Sequence, residues 1–273
     1  MFRQHKNLMS YVEGEFVCET EKKIVATSTM TEDEHSHCRM YVMLIECLFR
    51  ENSPLKEVFC FLDMKNSKRS DLAMKLFKNI SHSPPGILRC FDELNRSLTE
   101  ECFETEAEVV KNMEQYSDEY FRGVRGGDLL KYPMMIWIEQ YNDFMDWLFN
   151  NLRELYETDL QATHEINELG KFMRCVFIDQ DKPAVEKPSQ IVKKFDYDFI
   201  SWSQQKEVVE LSSFNYSTEI FFNKTEISAS SNSDIWNSFG FFLSKDFTPA
   251  PSKYGRLYPN KLRRNVGLIK NNL

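Results

Sequence analysis

The sequence predicts a mostly α-helical fold with a few short strands, in the α+β class. Apolar residues recur at steps of three and four over several long segments, which is the spacing of one helix face. Short runs of β-branched or aromatic residues stand between these segments and are typical of strands. Charged residues make up 28% of the 273 residues, and no apolar stretch approaches the roughly 20 residues that span a bilayer. A membrane-embedded protein is therefore not expected.

The overall charge argues against a phosphate-rich partner. The net charge is −8 and the pI is about 5.3, so nucleic acid would be repelled on average. The main basic cluster lies near the C-terminus and is expected to be a solvated tail that docks on the acidic body, with an RNA or membrane patch as the alternative. It contains Lys253, Arg256, Lys261, Arg263, Arg264 and Lys270.

Cysteine usage predicts a reducing compartment. The chain has seven cysteines, an odd number, and their wide spacing does not suit a disulfide framework. The first residues lack the apolar segment of a secretory signal, so we expect a cytoplasmic protein.

Residues 1–50 are predicted to form one βα unit. The β-branched run at Lys22–Thr29 predicts a short strand. Thr31–Glu34 matches a capping box, in which the hydroxyl accepts from a first-turn amide and the glutamate reaches back. Apolar residues at helical spacing follow over Tyr41–Leu48 and predict the helix.

Residues 51–178 are predicted to form a helical domain with one additional short strand at Val58–Leu62. The most regular stripe contains Trp137, Tyr141, Phe144, Leu148, Leu152 and Leu155 and predicts one long helix after Pro133. This stripe is interpreted as core, with the wall of a ligand pocket as the alternative. Further helices are predicted at Leu72–Ile80, Thr99–Gln115 and Leu160–Phe177.

Residues 179–273 have a different composition. Asp179–Pro188 resembles a linker, Val192–Trp202 is aromatic and predicted to be extended, and Glu219–Phe222 predicts a strand. A short helix is predicted at Ser233–Leu243, and a Pro- and Lys/Arg-rich tail follows from Phe247.

The sequence contains no self-contained catalytic motif. The glycines at Gly123–Gly127 fit neither dinucleotide nor P-loop spacing, and no GxSxG is present. His35 and Cys38 are three residues apart and share a helix face, but two further metal ligands are not evident. No acid/base pair is assigned among the many carboxylates, and no catalytic or metal-binding residue is predicted.

Several short segments, in the correct order, resemble cobalamin-binding radical S-adenosylmethionine (radical SAM) enzymes. Glu19–Glu34 is similar to the stretch that closes the incomplete barrel of their radical domain. The remaining matches resemble the family's helical C-terminal extension and are found at Tyr132-Pro133, Phe195–Trp202, Tyr254–Arg256 and Pro259–Val266. The resemblance implies the last barrel strand plus this extension.

The cluster motif of that family is absent. None of the seven cysteines fits CxxxCxxC, so cofactor residues cannot be placed on any position. The resemblance implies a [4Fe–4S] cluster, S-adenosylmethionine and cobalamin on a missing N-terminal part. It also implies that Thr27, Ser28 and Thr29, at the strand end, are close to substrate; alternatively, their hydroxyls satisfy the turn into the capped helix.

Three hypotheses of function follow. In the first, the chain is the C-terminal portion of a cobalamin-dependent radical SAM enzyme, not catalytic alone, which binds substrate or completes the active site with an N-terminal radical SAM/cobalamin polypeptide. This hypothesis predicts an exposed apolar sheet edge at Ile24–Thr27. In the second, the chain is a self-sufficient helical interaction module without catalytic activity. A third alternative is a small-molecule site beside the Trp137 helix.

Overall fold

The computed structural model describes residues 1–24, 26–49, 54–100, 102–121, 131–176, 191–223 and 265–268. Within them the chain is mostly helical with a few short antiparallel strands, which confirms the α+β prediction. The strands are β1 (Phe2–Val12), β2 (Glu15–Lys22), β3 (Ile191–Tyr197), β4 (Asn215–Asn223) and β5 (Asn265–Leu268). The helices are α1 (Glu32–Phe49), α2 (Lys56–Met64), α3 (Arg69–Lys78), α4 (Pro85–Glu100), α5 (Glu106–Gln115), α6 (Ser117–Phe121), α7 (Lys131–Glu139), α8 (Tyr141–Leu155), α9 (Leu160–Val176) and α10 (Phe199–Ser203).

The chain begins with a β-hairpin instead of the predicted strand at Lys22–Thr29. β1 and β2 pair antiparallel through a two-residue turn, in which Glu13 and Gly14 have φ of 53° and 89°. Two positive φ values in succession match the twist of hairpin strands. The predicted strand was wrong because β2 ends at Lys22, and Thr27 bridges only Met30 in a tight turn.

The first helix begins as the capping box predicted. The backbone N–H of Thr31 donates to the Glu34 carboxylate at 2.7 Å, and the N–H of Glu34 donates back to the Thr31 hydroxyl at 3.2 Å. The backbone bond also lowers the pKa of Glu34. The helices predicted at Leu72–Ile80 and Leu160–Phe177 are confirmed by α3 and α9.

Three other predictions required correction. Val58–Leu62 lies in α2, where residues three and four apart share one buried face, so a short apolar run was misread as a strand. The long helix predicted from Trp137 to Leu155 is divided into α7 and α8 at Gln140. The helix predicted at Thr99–Gln115 is divided as well, since α4 extends to Glu100 and a new capping box at Thr105 starts α5.

The C-terminal strands form a three-stranded antiparallel sheet in the order β3-β4-β5. β4 contains the predicted strand at Glu219–Phe222. The segment predicted to be extended, Val192–Trp202, is β3 only in its first part, because Asp198 accepts from the N–H groups of Ile200 and Ser201 and starts α10. The predicted linker, the helix at Ser233–Leu243 and most of the basic tail lie outside the described residues.

One large core unites helices α1–α4 and α7–α10 with the second sheet. It extends from Met43 in α1 to Ile220 in β4, so it draws on all three predicted segments of the chain. Trp137 is 1% exposed in it, and its indole N–H donates to the carbonyl of Cys47 at 2.9 Å, which ties α7 to α1. In the described part of the chain, no helix has both the length and the apolarity to cross a membrane.

Candidate functional site

The predicted substrate-proximal residues lie in the exposed turn between β2 and α1. The Thr27 N–H donates to the Met30 carbonyl at 2.8 Å, and the Thr27 hydroxyl accepts from the Thr29 N–H at 3.2 Å. Ser28 lies between them and is exposed. These bonds fit the alternative that the hydroxyls satisfy the turn, and a role for the three residues at a substrate stays a prediction.

The His35 and Cys38 region does not assemble a metal site within the described residues. No group of three or more potential metal ligands is found there. Burial, together with the nearby cations Lys23 and Arg39, lowers the pKa of His35 and so favours its neutral form.

A network of polar groups lies where α2, α9 and β3 meet. The Lys65 amine is 2.9 Å from the carboxylate of Glu165, whose side chain is 2% exposed. The Gln161 amide donates to Glu165 and to the hydroxyl of Tyr197, each at 3.1 Å. Lys65 also lies 3.9 Å from Asp159. Burial raises the pKa of Tyr197, so its phenol stays neutral.

The charges of this network are paired with one another. Burial lowers the pKa of the Lys65 amine, but its hydrogen bond and charge interaction with Glu165 outweigh burial, and the net pKa is raised. A lysine held in its charged form beside a buried carboxylate is neither a base nor a nucleophile at neutral pH. We therefore assign this network a structural role at the contact between α2 and α9, and not a catalytic role.

The hairpin, α5 and α6 form a second unit beside the main core. Its own small core contains Val109, Met113 and Tyr120, against which Phe16 and Cys18 of β2 pack. Helix α5 lies along the inner face of the hairpin: at one end Thr20 donates to Glu106 at 2.6 Å. At the other end, the hydroxyls of Tyr11 and Ser117 are 3.3 Å apart. We refer to this structure as the hairpin unit.

The opposite face of the hairpin carries no helix in the part of the chain that the structure describes. Side chains alternate along a strand, so this outer face holds Ser10, Val12, Glu15, Val17 and Glu19. Val12 is 54% exposed and Val17 is 51% exposed. Two exposed valines flanked by glutamates on the hairpin form an amphipathic surface.

The hairpin unit is also acidic on the side of β2. This strand carries three glutamates and one lysine in eight residues. Helix α5 beneath it carries three glutamates and one lysine, and α6 adds Asp118 and Glu119. A partner that lies along β2 would therefore meet an excess of carboxylates, whereas β1 carries Arg3 and Lys6.

Comparison with known proteins places the chain in no group, because no family model, curated protein or solved structure matches it. Function therefore has to be inferred from the geometry of the chain itself.

Sequence analysis missed the hairpin, although its signal was present. Phe16-Val17-Cys18 is a short apolar run between Glu15 and Glu19, and Gly14 precedes it at the position where a hairpin turn requires positive φ. The β-branched run at Lys22–Thr29 has the higher strand propensity, so the strand was predicted there. In the structure, pairing with β1 decided the location of the strand.

Proposed function

We propose that this protein is an interaction module that binds another protein through the outer face of its hairpin. The helical core provides a fixed support, and the hairpin unit carries the recognition surface. The observation that carries the proposal is the pair Val12 and Val17, each more than half exposed on neighbouring strands of a two-stranded sheet. The two valines lie diagonally across the strands, because their Cα partners are Glu15 and Ser10. Exposed apolar side chains rimmed by charge are typical of binding surfaces.

Site-specific crosslinking in the host cell tests this function. A photoreactive residue at Val17 should give a defined covalent adduct with one partner, and a residue at Val12 should give the same adduct. The control is Leu160, which is more exposed, at 84%, and lies at the start of α9 in the helical body. Equal adducts from all three positions, or none from the two hairpin positions, would refute the proposal.

The radical SAM hypothesis remains a second proposal for the same assembly. It is supported by the short segments that resemble that family. The sheet edge that it predicts at Ile24–Thr27 is not formed, because β2 ends at Lys22 and Ile24 and Thr27 belong to no strand. In this proposal, the crosslinked partner is the N-terminal radical SAM/cobalamin polypeptide and carries CxxxCxxC. Mass spectrometry of the Val17 adduct distinguishes the two, because a partner without that motif contradicts the enzyme hypothesis and leaves the interaction module standing.

A further inference from the structure

The backbone of β2 has one edge that pairs with β1 and one that does not. Met1 and Lys23 exchange two backbone bonds, of 2.8 and 3.2 Å, so the groups of Lys23 point towards β1. At the other end of β2, the two-residue turn pairs Glu15 with Val12, so the backbone groups of Glu15 also point towards β1. The backbone groups of successive residues along a strand point to opposite edges. Because the groups of Glu15 and Lys23 both point towards β1, the N–H and C=O groups of Phe16, Cys18 and Thr20 point away from it.

Those outward groups form an open edge. In the described part of the chain, β2 pairs with β1 and with no other strand. The corresponding edge of β1 is different, because the outward groups of Phe2 exchange bonds of 2.6 and 2.8 Å with Phe103. An unpaired row of backbone donors and acceptors is a template for a further strand. Phe103 bridges the β1 edge at Phe2, whereas no described strand or bridge pairs with the outer edge of β2.

The side chains along the edge select what can pair there. On the outer face, Glu15 and Glu19 flank Val17, and on the inner face Phe16 and Cys18 lie against α5. A second copy of β2 would bring glutamates opposite glutamates, which is unfavourable. A strand with lysine or arginine towards the outer face and apolar residues towards α5 would pair charge with opposite charge and extend the small core.

We propose that β2 accepts an extended, basic segment of another protein as a third strand of the hairpin sheet. This inference rests on the proposed interaction function and specifies its geometry: main-chain bonds from Phe16, Cys18 and Thr20 hold the segment, and Glu15 and Glu19 select its charge. The partner is recognised by alternation of basic and apolar residues over about eight residues, the length of β2.

The test uses the full chain and two nine-residue peptides, one alternating lysine with valine and the other alternating glutamate with valine. The lysine peptide should bind at least tenfold more tightly than the glutamate peptide at 0.15 M salt. Residue-resolved amide hydrogen exchange should show new protection at Phe16, Cys18 and Thr20. The amides of Val17 and Glu21 already face β1, opposite Ser10 and Arg3, and should change little.

Charge reversal supplies the control for specificity. The double variant Glu15→Lys, Glu19→Lys should reverse the order of the two peptides while circular dichroism and the exchange of α5 stay as in the parent. Equal binding of both peptides by the parent, or binding without protection of the three outward amides, would overturn strand addition. A chain that dimerises in light scattering and protects the same amides would identify a second copy as the occupant, and would also overturn it.

The two proposals fail in different ways. If crosslinks form from Val12 and Val17 but no peptide protects the β2 edge, the outer face is a binding surface and strand addition is wrong. If neither crosslinks nor edge protection appear, the interaction function itself is wrong.

Discussion

At the scale of single residues, the hairpin turn depends on backbone conformations that few residues adopt. Gly14 has φ of 89°, and Glu13, which has a side chain, has φ of 53°. A left-handed conformation costs an ordinary residue roughly 1–2 kcal/mol. Space is not the constraint at Gly14, since a Cβ built there would meet no atom within 4 Å. The glycine is required by its conformation alone.

Gly14→Val should destabilise the hairpin by about 1–2 kcal/mol, because a β-branched residue is forced into the left-handed region. Faster amide exchange at Val17 and Glu21, which pair with β1, would report the loss. Glu13→Asn is the matched variant that should stabilise the hairpin, because asparagine tolerates positive φ better than glutamate. The same amides should then exchange more slowly than in the parent. An unchanged exchange rate in Gly14→Val would show that the turn does not hold the strands.

At the scale of elements, a salt bridge joins α2 to α9. Lys65 is 16% exposed at its side chain and Glu165 is 2% exposed, so the pair is largely shielded from water. Removal of one partner from a buried pair leaves the other without compensation for its desolvation. A second bridge, between Lys75 of α3 and Glu154 of α8, has a similar length of 2.7 Å but is 31% and 53% exposed.

Lys65→Met should lower the free energy of unfolding by about 3 kcal/mol, because Glu165 stays buried without its cation. Lys75→Met should cost less than about 1 kcal/mol, because water screens that pair. The double variant Lys65→Met, Glu165→Leu should recover most of the loss. Chemical denaturation measures the free energy of unfolding of all three variants. Equal losses in Lys65→Met and Lys75→Met would show that the salt bridge between Lys65 and Glu165 behaves as an exposed pair.

The raised pKa of Lys65 also predicts a dependence on alkaline pH. A group whose pKa is higher in the folded chain stabilises the fold fully below its unfolded pKa, which is near 10.4. That stabilisation is lost as the pH rises through the folded pKa. Urea midpoints between pH 9 and pH 12 should therefore fall less steeply in Lys65→Arg, which stays protonated, than in the parent. Parallel curves would indicate that Lys65 does not contribute.

At the scale of the whole molecule, the chain contains two cores of unequal size. The main core joins the helices to the second sheet, and the smaller core belongs to the hairpin unit. A small core contributes less apolar burial, so its elements should open at lower free energy than the main core. A recognition hairpin on such a unit is able to adjust to a partner while the helical support stays folded.

Met113→Ala and Leu148→Ala test this division, since both residues are 0% exposed but lie in different cores. Each should cost about 2–5 kcal/mol in its own core. Met113→Ala should accelerate amide exchange in the hairpin and α5 while α8 and α9 keep their protection. Leu148→Ala should lower protection in the helical body. Loss of protection throughout the chain in Met113→Ala would show a single cooperative unit instead.

Local signals explain how much of this fold was predictable. The Thr31–Glu34 capping box and the helices α3 and α9 follow from spacing and side-chain chemistry within a few residues, and the structure confirmed them. The errors at Val58–Leu62 and Lys22–Thr29 share one cause. A short apolar or β-branched run has no periodicity long enough to separate a buried helix from a strand, so burial and pairing decide.

The sequence by itself determined the helical, acidic character of the chain, because periodicity and charge are properties of neighbours along the polymer. Only the tertiary structure decided where the first strand lies and which of its edges is open. Those features depend on partners distant in sequence: β1 pairs with β2, Phe103 occupies the edge of Phe2, and α5 covers one face of the hairpin. The candidate binding surface is what these contacts leave uncovered, and no local pattern encodes it.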